Sequence, residues 1–98
     1  MSYLLKFDPD ACEQAEIRCD QLAETIDGVY TDLCSLHNQL QANIAGQTAD
    51  SFGSFVEGPA KANVYQLADM CRQTAGALRH TRQEFLNADQ ALSQTFRV

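Results

Sequence analysis

The sequence predicts an all-α fold, a two-helix antiparallel hairpin that pairs into a four-helix bundle. Three observations carry that expectation. Two long stretches space apolar or small residues at alternating steps of three and four, and a single break, "IAGQTADSFGSF" at 44–55, separates them. Both stripes are also wider than the two-row seam that one neighbouring helix covers, so a second hairpin is needed to shelter them. One domain spans 1–98, with no internal repeat and no linker long enough to divide it.

The first helix is expected over about 9–44. Asp8-Pro9 supplies an N-cap followed by proline at the first helical position. Cys12, Cys19, Ile26, Leu33 and Leu40 form one row of a heptad seam, and Ala15, Leu22, Val29 and Leu36 form the other. Asp20, Glu24, Asp27, Thr31 and Asn38 fall mainly on the opposite, solvated face, with Ile17 and Gly28 as exceptions. Ala23, Tyr30 and Ile44 widen the apolar stripe.

The bend is expected at about 45–49, with Gly46 in the left-handed conformation that ends a helix and Thr48 or Asp50 capping the next one. The second helix follows over about 50–95, with a kink near 58–59, because Gly53, Gly58 and Pro59 weaken its early part and proline removes a backbone hydrogen bond. Residues 50–57 then form a short segment whose Phe52, Phe55 and Val56 plug the bundle end. The second stripe runs through Ala60, Val64, Leu67, Cys71, Thr74, Leu78, Thr81, Phe85, Ala88 and Leu92, widened by Met70, Ala77 and Ala91. Its small row (Ala60, Thr74, Thr81, Ala88) suits the close approach of another helix. The residues expected to bind a partner are Leu22, Ile26, Leu33, Leu67, Met70 and Leu78.

Composition narrows the function. A 98-residue chain buries a limited core, and its 45% hydrophobic content is too high for a disordered one. The formal net charge of -6 opposes an electrostatic grip on nucleic acid or anionic lipid, which leaves proteins as partners. The start, "MSYLLKFDPD", lacks the basic region and cleavage site of a Sec-type signal, and no apolar run has membrane-spanning length. The alternation in "YLLKF" fits either a short pairing strand or a frayed end.

Cys12, Cys19, Cys34 and Cys71 read as thiols buried in helical seams. Cys19–Cys71 is the one pair that hairpin geometry brings near, and Cys34 is expected toward the outer face. His37 and His80 are expected apart on the surface, no spacing matches a metal site, and no cofactor is implied. No P-loop, nucleophile elbow or paired carboxylates are present, so the chain reads as a non-enzyme.

Two further stretches carry a family resemblance. Ile44, Gly46, Ala49 and Phe52 stand in the order of a W-x-G bend followed by a small residue and an aromatic, with isoleucine where tryptophan is usual. "FLNAD" places Phe85 and Asp89 four apart near the end of the second helix, where the Y-x-x-x-D/E export motif falls. Tyr65 and Asp69 share the spacing, but in mid-helix. On the residues alone Phe85 reads equally as a core side chain and Asp89 as a solubilising charge.

The chain thereby resembles the WXG superfamily of small type VII secretion substrates. Its phenylalanine variant is most like the helical proteins that pair with the N-terminal domain of an LXG-type toxin. What the resemblance implies is a targeting factor that binds that domain and offers Phe85 and Asp89 to the secretion ATPase. It would be made in the cytoplasm and exported without a Sec signal. Self-pairing within the same superfamily and a cytoplasmic helical adaptor unrelated to secretion remain the alternative readings.

Overall fold

The computed structural model describes residues 7–44 and 46–95. Tyr3 to Lys6 of the N-terminal arm and Ala45 of the bend lie outside the described residues. The first helix, α1 (Pro9–Asn43), starts where the Asp8 carboxylate accepts hydrogen bonds from the backbone N–H groups of Asp10 (3.0 Å) and Ala11 (3.2 Å). These satisfy two of the free donors at the helix start, and Pro9 at the first position has no N–H to satisfy. The helix ends at Ile44, whose N–H reaches back to the Leu40 carbonyl at 2.7 Å.

Gly46 has φ 139, a backbone value that side-chain-bearing residues rarely adopt. It also serves as the N-cap of α2 (Gln47–Phe55), which has no side-chain cap. The expected capping by Thr48 or Asp50 is therefore corrected: the chain re-enters a helix as soon as glycine has turned it, which leaves both residues inside the first turn. Asp50 still opposes the positive helix end there.

A π-helical turn (Val56–Ala60) carries the chain past Pro59, with the Lys61 N–H reaching the carbonyls of Gly58 and Val56. The wider turn accommodates the missing proline donor without breaking the arm. The last helix, α3 (Lys61–Thr95), then runs antiparallel to α1. Helical hairpin and all-α class are thus the architecture of the described residues.

The molecule is a rod of 77 × 19 × 17 Å, with a radius of gyration of 21.8 Å against roughly 13 Å for a compact domain of this length. Its 7434 Å² of accessible surface exceeds the roughly 5,500 Å² of a compact 10.8 kDa monomer.

What sits between α1 and α3 differs from the seam counted in the sequence. The innermost α1 column is Glu16 and Ala23, with Tyr30 and His37 half-buried below them. On α3 it is Ala68 and Ala75, with Arg82 half-buried. Ala23 is thus at the centre and not on the widened edge. The row Leu22, Val29, Leu36 faces outward, as do Thr74, Thr81 and Ala88. Alanine columns draw the two helices close, and the large side chains are left on the flank. At the bend Val56 is buried and Phe52 half-buried, but Phe55 is exposed and does not plug the end.

Candidate functional site

The hairpin has two unlike long sides. On one, opposite charges face each other across the helices: Arg72 pairs with Asp27 at 2.5 Å, and seven residues on, Arg79 pairs with Asp20 at 3.3 Å. This ladder runs in the antiparallel register of the two helices. It ends in a buried cluster at the open end, where the Arg82 guanidinium donates to both oxygens of Glu16, at 2.5 and 3.1 Å. Glu16 is 4% exposed and also pairs with Arg79, while the Cys12 thiol lies 3.9 Å from it and donates to the Leu78 carbonyl at 3.3 Å.

The Arg82 hydrogen bonds hold the Glu16 carboxyl below the usual range, against the opposing effect of its burial. On the same side the Tyr30 and Tyr65 rings lie tilted against each other, centroids 6.1 Å apart. The Tyr30 hydroxyl is pushed up, first by its hydrogen bond with Cys34 and then by burial.

The other side is apolar. Ile26, Val29, Asn63, Val64 and Leu67 line one shallow groove across α1 and α3. The heptad repeat extends this side through Leu22, Leu33 and Leu36 on one helix and Cys71 and Leu78 on the other. Of the six expected partner-binding residues, Leu22 (51%), Leu67 (53%) and Met70 (56%) are exposed, and Ile26, Leu33 and Leu78 are half-buried, sharing themselves between the hairpin and the open side. Met70 forms a second depression with Asn63, Gln66 and Leu67 at the outer edge.

The bend residues divide. Ile44 is 61% exposed, Gly46 turns the chain, and Phe52 is half-buried near His37 and Phe55, at 6.4 and 6.3 Å between centroids. His37 is the residue that sequence reasoning missed here. Its ring fills the space over Gly53, where an added Cβ would come within 2.7 Å of Cε1. Gln41 lies 3.2 Å from the His37 ring nitrogen and donates to Asp50 across the bend at 3.2 Å. His37 is therefore no surface histidine, because it takes the role of wedge between α1 and α2; His80 is exposed and pairs with Glu84.

At the far end Phe85 is half-buried and Asp89 exposed. With Ala88 and Leu92 they line a depression on α3, and the Phe85 ring lies 4.6 Å from that of Phe7, just ahead of α1. This end and the bend motif lie at opposite ends of the rod, so one hairpin does not bring them together.

All four cysteines are free. Cys12 is buried and the other three are half-buried, Cys34 among them, turned toward Tyr30 and not outward. Among the described residues no group of three His, Cys, Asp or Glu side chains is placed to hold a metal ion, and no helix is long and apolar enough to cross a membrane. The cross-helix ladder is legible in the sequence as Asp20 and Asp27 against Arg79 and Arg72, each pair seven apart, a charge period that an apolar stripe does not carry.

Fold and surface together define a helical hairpin with one side stitched by charge and the other left apolar, a module built for association. Residues 4–90 match the family model described as "WXG100: Proteins of 100 residues with WXG", and the chain belongs to that family. Its members are small helical proteins of type VII secretion and not enzymes. No curated protein and no solved structure matches the chain.

Proposed function

We propose that this protein is a targeting partner in type VII secretion. In this reading its apolar side pairs with the helical N-terminal domain of an LXG-type toxin, and Phe85 and Asp89 supply part of the export signal read by the secretion ATPase. The observation that carries the reading is the uncovered apolar side: Leu22, Val29, Leu36 and Leu67 are large, solvent-facing and aligned along a rod with an alanine interior. Burying such a side stabilises by roughly 25 cal/mol per Å², and a standard interface removes about 800 Å² from each partner. The surplus of surface over a compact monomer exceeds that, so two hairpins side by side, a four-helix bundle, fit the area. A partner of different sequence is supported by Ile44 and Phe85 standing where the family's usual motifs place tryptophan and tyrosine.

Co-expression with the helical domain of a toxin encoded next to it tests the pairing. A one-to-one complex that survives size-exclusion chromatography is expected, together with export of the pair without a Sec signal. A tight homodimer indifferent to that domain would instead establish the second reading, self-pairing, which the same surface surplus supports. Retention of the chain in the cytosol of cells with an active secretion system would overturn both in favour of a cytoplasmic adaptor.

A further inference from the structure

The end of α3 runs past α1. Tyr30 faces Tyr65 and Glu16 pairs with Arg79, so the start of α1 meets α3 near Phe85. Consistent with this, Phe7, immediately before the Asp8 cap, lies against Phe85. The arm from Gln47 to Thr95 is roughly 73 Å long at 1.5 Å per residue, and α1 roughly 52 Å. Residues beyond Phe85 therefore extend as an overhang of about two to three turns past the start of α1. Asp89 and Leu92 lie on that overhang and are exposed. Among the described residues, the Glu16–Arg82 pair and the tilted ring pair of Phe7 and Phe85, at 36° between planes, tie the start of α1 to α3 before it.

We propose that Phe7 is a positioning residue for the Phe85–Asp89 surface: its ring clamps Phe85 at the base of the overhang, so that the aromatic edge and the carboxylate four residues on are presented together. This rests on reading Phe85 and Asp89 as an export signal. Among the described residues the depression beside Phe85 is lined by Ala88, Asp89 and Leu92, so a receptor entering it would meet the ring and the carboxylate together. Aromatic pairs of this geometry contribute modestly, enough to bias a rotamer without holding the fold. The start of α1 and the last turns of α3 then build one surface.

The test measures the exported fraction of the full chain in cells with an active secretion system, with helicity and pairing of each purified variant followed in parallel. Phe7→Ala is expected to lower export by about two- to tenfold, the range one aromatic contact supports, with helicity and pairing unchanged. Phe7→Tyr, which keeps the ring, restores it. Asp8→Ala loosens the same helix start while keeping Phe7, and is expected to export better than Phe7→Ala. Should Phe7→Ala lose helicity, Phe7→Leu, which keeps apolar volume without the ring, decides in its place. Normal export of the deciding variant alongside loss in Asp89→Ala would overturn the clamp and leave the export signal standing. Normal export of Phe85→Ala and Asp89→Ala would remove the signal, and the clamp with it.

Discussion

The two long sides of the hairpin are built from the same heptads one column apart, yet they do opposite work. The charged side satisfies itself: Asp27 with Arg72, Asp20 with Arg79 and Glu16 with Arg82 are all paired within one chain. The apolar side cannot, since Leu22, Val29, Leu36 and Leu67 stay about half exposed beside the sister helix. In the proposed pairing, charge matching within the hairpin and the drive to associate fall on different faces. Charge pairs constrain geometry at little gain in stability, whereas apolar area gives stability with little geometric preference.

Breaking the apolar side should have the largest effect. Leu67→Asp places a carboxylate in the centre of the groove formed with Ile26, Val29 and Val64, where pairing would bury it without a cation. Pairing measured by sedimentation is expected to weaken at least about a hundredfold, with the thermal midpoint losing its dependence on protein concentration. Leu22→Asp should match it. A variant that stays paired would show that the second hairpin docks elsewhere.

Next in size is the bend. Glycine to alanine inside an open helix normally stabilises by about 0.5–1 kcal/mol, and Gly28 and Gly76, with nothing near them, should behave so. Gly53 should not. An added methyl there meets the His37 ring, and overpacking costs about 1–3 kcal/mol, so the clash outweighs the propensity gain. Gly53→Ala is expected to lower the thermal midpoint, and in a His37→Ala background the same change should turn neutral or stabilising.

The buried Glu16 at the open end gives a pH signature. Arg82 holds the Glu16 carboxyl below its ordinary 4.5, so in that range the unfolded chain binds the proton more readily than the folded one. The stability it confers is fully present above about pH 4.5 and is lost as the pH falls toward the lowered folded value. Thermal midpoints of wild type and Glu16→Gln should differ most near neutrality and converge on acidification. A constant difference down to pH 3 would show that the charge of Glu16 is not what the pair contributes.

The sequence conveyed the elements better than their faces. Asp8-Pro9 and Gly46 act through local backbone chemistry, which needs no neighbour, and the three-four spacing marks any long amphipathic helix. Which column meets the sister helix is a property of the pair. Ala23, Ala68 and Ala75 carry little hydrophobic weight in a stripe count, and Glu16 and Arg82 carry the wrong sign until each is placed beside the other. His37 over Gly53 is hidden for the same reason, sixteen positions apart in sequence and in contact only once α2 folds back. At the site, Phe85 and Asp89 were visible as a spacing, while the contact with Phe7 depends on how far α3 outruns α1.

The smallest expected effect sharpens the comparison from the charged side. Asp27 and Arg72 are each close to half exposed, so water and salt screen their attraction, and holding both side chains costs entropy. Asp27→Asn should leave the thermal midpoint at 0.15 M salt nearly unchanged, with a small loss emerging at low salt. Reversing both partners, Asp27→Arg with Arg72→Asp, should recover even that, because the ladder needs opposite charges at this level and not a particular order. Reversing only one puts like charges across the helices, beside the neighbouring Arg79–Asp20 rung. If the single reversal weakens pairing as strongly as Leu67→Asp does, the charged side is itself part of the association surface, and the division of labour between the two sides fails.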